Sequence, residues 1–413
     1  MRTFESLGNR DFRYLWLGQL ATSMGQWMDQ VTRAWLIYSM TGSALQLGLV
    51  SAARGVPLLI FGTIAGAVAD RYGRKAQLII AQSTNTVLNV ILAVLVVTGK
   101  VQPWHVYVTG FLAGTVQAFQ QPARMVMIND LVGRDKLLNA VSLNSAAVNV
   151  SRSVGPALSG VLIVFLGVGE SYFLQAGLFA LATIWVIQIR VPDAVRLTYG
   201  RVVTVEQTLL GSTKEGLAYI ASNRTMLALM VLGLAPMTLG MPFVSLMPVF
   251  ALDVFHGNAT TQGLLLTTFG IGAVAGALAI ASAGNRLTMN GKLLLFAAAG
   301  FGLSLVFFSR SPVLILAGAF TLLAGVFNGS YTSQNQTMIQ MLAPSKLRGR
   351  LLGIFMLNRG LTPVGSLLAG VLATYFGGPW AVTLMGGSCF LLVVGVAIFA
   401  PEVWRLRIVP DVG

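Results

Sequence analysis

The chain has 413 residues, of which 55% are hydrophobic and only 10% charged. A soluble domain carries about 25% charged residues, so the composition argues against a water-soluble enzyme, a secreted module or a disordered scaffold. The net charge of +14 would speak for nucleic acid in a soluble protein. Here the basic residues punctuate long apolar runs and read as topology signals, with no nucleic-acid role expected.

At about 20 apolar residues per membrane span, the chain has room for about a dozen helices. In chain order the predicted spans lie near 14–39, 44–69, 77–98, 104–128, 137–165 and 170–190, then 224–250, 259–284, 292–310, 313–341, 351–375 and 379–400. The polar start MRTFESLGNRDFR and the long first apolar run read as no cleavable signal. The break at 191–223 divides the spans six and six; within it Val205, Leu209, Leu217 and Ile220 fit one face of a short interfacial helix. The expected fold is an all-α membrane protein of twelve transmembrane helices in two pseudo-symmetric six-helix halves, 1–190 and 224–413, joined by the 191–223 linker.

All but six of the 27 Lys and Arg fall on one side of this topology. The other side has Lys100 and Arg310, while Arg33, Arg54, Arg152 and Arg359 lie inside predicted spans. The positive-inside rule then places both termini and the 191–223 loop in the cytoplasm, with a multi-pass chain in the cytoplasmic (inner) membrane. The halves also resemble each other. At one constant offset Gly42-Ser43 overlays Gly257-Asn258, Gly48-Leu49 overlays Gly263-Leu264, Gly55 overlays Gly270 and Asp70-Arg71 overlays Asn285-Arg286. At a nearby offset Arg152-x-x-x-Pro156 overlays Arg359-x-x-x-Pro363. Parallel repeats of this kind are a transporter architecture, with substrate bound between halves near the midplane.

Ionisable residues within spans are costly and by default mark function. Asp29 is the only acid well inside a predicted span, and Arg33 follows it by four residues, on the same helix face. One reading is a proton-coupling Asp29; the other is a fixed Asp29–Arg33 pair with no transport role. Four intramembrane arginines against one acid leave a basic excess, so Arg54 and Arg152, both mid-span, are expected at a ligand cavity. Snorkelling accounts for Arg33 near the outer mouth and Arg359 near the cytoplasmic end. The single cysteine, Cys389, excludes disulfides and cysteine-rich metal sites. No phosphate-binding loop, metal-ligand spacing or nucleophile motif is visible, so no catalysis, metal or cofactor is expected.

The sharpest motif is Gly66-Ala-Val-Ala-Asp70-Arg71-Tyr-Gly73-Arg74-Lys75, between the second and third spans. With twelve spans and a decayed second copy at Asn285-Arg286, it resembles the signature loop of the major facilitator superfamily. The resemblance implies a conformational latch of Gly66, Asp70, Arg71, Gly73 and Arg74, in which Asp70 pairs with Arg124 at the end of the fourth helix. Ser151-Arg152-Ser153-Val154-Gly155-Pro156-Ala-Leu-Ser159-Gly160 is similar to the closely packed fifth-helix motif of proton-coupled exporters, with Ser151 and Ser159 in place of glycines. Its alternative is an ordinary proline kink repaired by its neighbours. Pro122-Ala-Arg124 through Leu138-Asn139-Ala140-Val141, and Leu347-Arg348-Gly349-Arg350, resemble the branch of macrolide-type drug and siderophore exporters.

In that superfamily helices 1, 4, 7 and 10 border the cavity. The resemblance therefore places Gln26, Gln30 and Arg33, Gln117, and Asn328, Tyr331 and Asn335 at the lining, with hydrogen bonding between packed helices as the other reading for each. Methionines and prolines around 236–248 suit apolar ligands. Together these readings imply a monomeric, proton-coupled exporter of amphipathic small molecules, with substrate, protons and membrane lipids as partners. The alternatives are a carrier of an anionic metabolite or lipid-like anion by uptake or uniport, and a non-transporting membrane receptor of the same fold.

Overall fold

A computed structural model describes residues 5–71, 73–190, 209–283, 289–344, 347, 351, 354–355 and 358–408. Apart from a two-residue antiparallel pairing of Met289–Asn290 with Arg407–Ile408, the regular secondary structure of the described residues is helical. The helices are α1 (Arg10–Thr41), α2 (Ala44–Arg71), α3 (Arg74–Val97), α4 (Pro103–Phe165), α5 (Val168–Gln188), α6 (Leu209–Ser222), α7 (Arg224–Val254), α8 (Ala259–Ala283), α9 (Gly291–Ser309), α10 (Leu314–Leu342), α11 (Thr362–Phe376), α12 (Gly378–Phe399) and α13 (Pro401–Arg405). Nine helices among the described residues are long and apolar enough to cross a membrane, and α11 is a shorter apolar helix.

Local chemistry sets the boundaries. The Asn9 side chain accepts from the backbone N–H of Asp11 at 2.9 Å and Phe12 at 3.2 Å, starting α1. Gly42 ends α1 at φ 58°, and its N–H returns to the Tyr38 carbonyl. Asn223 and Asn290 cap α7 and α9 in the same way.

The predicted spans near 104–128 and 137–165 meet at Gly133, whose non-helical angles (φ 70°) break α4 into two helices, the second spanning Lys136–Phe165. In the linker α6 forms, with Leu217 exposed and Ile220 buried in a cluster with Met226 and Leu229. Val205 lies outside the described residues. Within α7, Pro236, Pro242 and Pro248 each remove a backbone donor. The helix answers with a wide turn at Pro236–Gly240, a tight one at Met241–Leu246 and a second wide one at Phe250–Val254.

The chain divides into two compact units: Met1–Gly42 with Leu49–Thr204 and Gly257–Thr267, and Ser43–Gly48 with Val205–His256 and Thr268–Gly413. In the first, Phe12, Leu15, Leu78, Met127, Ile128 and Leu143 form a buried cluster. In the second, Met226, Leu229, Leu294, Tyr331, Met338 and Phe355 do so. Elsewhere large apolar side chains such as Ile80, Val87, Ile315, Leu391 and Phe399 are exposed along the helices. Such surfaces are unfavourable in water and suit lipid. In the second unit α8 and α10 pack backbone to backbone: a Cβ on Gly272, Gly276, Gly325 or Gly329 would overlap a carbonyl of the facing helix.

Candidate functional site

The first unit holds a charged group in its interior. Asp29 and Arg33 on α1 are only 3% and 2% exposed. Their spacing of one helical turn lets Arg33 grip the carboxylate with two N–H groups: Nη2 to Oδ1 at 2.9 Å and Nε to Oδ2 at 3.2 Å. The remaining end, Nη1, donates to the Val106 carbonyl at 3.0 Å and the Thr109 hydroxyl at 2.8 Å, both on α4. Arg54 of α2 donates Nη1 to the same Asp29 Oδ2 at 2.6 Å, and its side chain is 21% exposed against 3% for Arg33. Gly114 brings Arg54 this close: a Cβ there would overlap the Arg54 carbonyl, so α2 and α4 meet backbone to backbone. Two guanidiniums share one carboxylate, and the group carries one positive charge in excess, most accessible at Arg54.

A neutral network continues from this group. Thr32 Oγ1 lies 2.8 Å from Ser159 Oγ and 3.1 Å from Ser171 Oγ, and accepts from Gln175 Nε2 at 2.9 Å. Thr32, Ser159, Ser171 and Gln175 are all fully buried. Tyr172, next to Ser171, is fully buried too, and its hydroxyl has no hydrogen-bond partner among the described residues.

Other predicted positions separate into groups. Gln26 is half-buried and donates to Gln120 at 3.4 Å, while Gln30 and Gln117 are half-buried. Arg152 is half-buried and engaged within the fold. Asn328 approaches Met241 Sδ at 3.8 Å. Tyr331 and Asn335 are fully buried and donate to the Leu232 carbonyl (2.8 Å) and the Leu229 carbonyl (3.3 Å) of α7. These two bonds join packed helices, while Asn335 Oδ1 has no partner among the described residues. Gly155 sits against Trp27 Cβ and Gly160 against the Ala259 carbonyl; both contacts, with Pro156 between them, lie within the first unit.

In the expected latch, Gly66, Asp70 and Arg71 fall outside the residues whose side chains are described, as does Arg359. Gly73 caps α3. Arg124 is buried, and its one bond among the described residues goes to the Leu15 carbonyl at 3.5 Å. Arg74 pairs with Asp130, a carboxylate that the motif reading did not single out. Thr109, Gly114, Gln120, Tyr172 and Gln175 were also missed. Among the described residues no group of three His, Cys, Asp or Glu side chains can hold a metal ion.

The profile of the transmembrane secretion effector family matches residues 1–408. The chain belongs to that family, in the drug and siderophore exporter branch of the major facilitator superfamily. It is 26% identical to the staphyloferrin A transporter of Staphylococcus aureus over 92% of this chain and 94% of that one. It is 29% identical to the multidrug efflux pump Tap of Mycolicibacterium fortuitum, covering 94% and 95%. With macrolide efflux protein A of Streptococcus pyogenes the identity is 24%, covering 96% of each. Among solved structures, the nucleoside transporter NupG superposes with a TM-score of 0.75 at 12% identity, covering 94% of this chain and 98% of that one. The peptide transporter POT in complex with sulfate gives 0.71 at 15%, covering 97% and 96%. These two likenesses establish the fold. The protein is thus a multi-pass membrane transporter of small molecules, and not an enzyme.

Proposed function

We propose that the protein exports amphipathic small molecules across the cytoplasmic membrane by alternating access, exchanging them for protons at Asp29. It works as a monomer with both termini in the cytoplasm. The observation that carries this reading is the sharing of one buried carboxylate by two arginines, of which Arg33 is fully engaged and Arg54 is held, among the described residues, by a single bond. A proton on Asp29 leaves both guanidiniums uncompensated, and a positive site then opposes a cationic ligand. That mutual opposition is the reciprocal coupling that exchange needs. The latch pair Asp70–Arg124 stays part of this proposal as the control of access.

The test is transport in proteoliposomes under an imposed pH gradient, with cationic, neutral and anionic amphipathic probes. Asp29→Asn is expected to keep binding and counterflow while losing gradient-driven accumulation. Unchanged accumulation would move the role elsewhere, with Glu170 and Asp253 next in line. A second reading rests on the surplus charge at Arg54, which favours an anionic ligand. For an anion the sign reverses, since proton and ligand then reinforce each other. In the same screen, anionic probes moving with protons support the second reading, and cationic probes moving against them support the first.

A further inference from the structure

We infer that Tyr172 is the alternate partner of Asp29, the donor that takes the carboxylate when Arg54 lets it go. The inference rests on the Asp29 reading above and adds a positioning residue to it. A fully buried phenol without a hydrogen bond is costly, because it gives up water and receives nothing in return. Tyr172 is in that condition here, beside Ser171 Oγ, bonded with Thr32 and Gln175, and Gln175 Nε2, bonded with Thr32, while Gln175 Oε1 likewise has no partner among the described residues. Those bonds dock α5 on α1 one turn from Asp29. The Tyr172 hydroxyl lies within the electrostatic field of Arg33, Asp29 and Arg54 together. Around it α1 supplies Asp29 and Arg33 and α2 supplies Arg54. Among the described residues, α4 gives the group the Val106 carbonyl and the Thr109 hydroxyl, which Arg33 already occupies.

In the present arrangement Asp29 Oδ2 accepts from both Arg33 and Arg54. When Arg54 withdraws, Arg33 still holds the carboxylate and Oδ2 gains room for a neutral donor. A phenol suits this position, since it replaces the bond without replacing the charge. An orphaned hydroxyl in one access state and a satisfied one in the other biases the equilibrium between them.

Tyr172→Phe tests this, because it removes only the hydroxyl. Unfolding of the purified protein in detergent is expected at the same or a higher temperature than wild type. Gradient-driven transport is expected to fall about tenfold, with counterflow kept and the pH profile altered. Adding Tyr172→Phe to Asp29→Asn is expected to cause no further loss, since both act on one step. Wild-type transport and pH profile in Tyr172→Phe, a marked drop in its unfolding temperature, or additive losses in the double variant would each overturn the inference. If Asp29→Asn is impaired while Tyr172→Phe is normal, this inference alone fails; if Asp29→Asn transports normally, the reading beneath it fails.

Discussion

The two units contain the same helix crossing with opposite chemistry. At the offset that overlays Gly42 on Gly257, Arg54 falls on Phe269. Gly114 abuts the Arg54 carbonyl in the first unit, and Gly325 abuts the Phe269 carbonyl in the second. The side chain leaving each crossing differs. Arg54 reaches a buried carboxylate at 2.6 Å, whereas Phe269 meets Phe243 edge-on, with ring centroids 5.2 Å apart. At the same offset Asp29 and Arg33 fall on Val244 and Pro248, within the broken α7. The backbone solution to close packing is therefore shared, while among the described residues only the first unit's crossing carries charge. Buried charge is held by mutual pairing and buried apolar groups by contact, so the two units should respond differently to the loss of a single side chain.

The largest break in that comparison is at Arg33. Arg33→Met strips Asp29 of its two-pronged partner and removes the bonds to Val106 and Thr109, leaving Arg54 as the carboxylate's one partner among those seen here. Arg54 still balances the carboxylate's charge, so the loss is that of charge-assisted hydrogen bonds, about 1.5–3 kcal/mol. Thermal unfolding in detergent should register a loss of that size. A loss below about 1 kcal/mol would mean that the pair contributes far less than its geometry implies.

Gly114→Ala and Gly325→Ala sharpen the comparison. Each places a methyl where a carbonyl now sits, so two helices must part, at about 1–3 kcal/mol. The stability costs should be alike and the functional costs should not. Parting α2 from α4 lengthens the Arg54–Asp29 bond, so Gly114→Ala should also reduce gradient-driven transport, while Gly325→Ala should leave more of it. Equal transport in the two variants would show that the crossing, and not the charge it carries, governs turnover.

Much of this was legible beforehand, for physical reasons that also mark the boundary. Long apolar runs announce helices, and a separation of four residues places Asp29 and Arg33 together on α1. The rest of the group comes from elements far apart in sequence. Val106 contributes a backbone carbonyl and Gly114 contributes the absence of a side chain, and neither leaves a signature in a run of letters. Thr32, Ser159, Ser171 and Gln175 look like ordinary small polar residues until three helices converge. Gly133 was legible, since it opens the polar stretch Gly133-Arg134-Asp135-Lys136 between the predicted fourth and fifth spans. Tyr331 and Asn335 had the spacing of a lining face, yet that periodicity gives a shared face without saying whether a cavity or a helix opposes it.

The smallest effect is expected at Tyr331, and it probes the neutral side of the comparison. Its hydroxyl donates to the Leu232 carbonyl at 2.8 Å, four residues before Pro236 opens the first wide turn of α7. Hydrogen bonds between membrane helices average about 0.6 kcal/mol and rarely exceed about 1.7. Tyr331→Phe keeps the ring in its buried site and should cost about 1 kcal/mol in detergent unfolding, with substrate binding and gradient-driven transport close to wild type. The contrast with Tyr172→Phe is informative because the substitution is identical. One phenol has a partner and should show its loss in stability; the other has none among the described residues and should show its loss in transport. Should Tyr331→Phe instead weaken ligand binding at unchanged stability, the hydroxyl faces substrate during the cycle, and the second unit takes part in recognition as well as in packing.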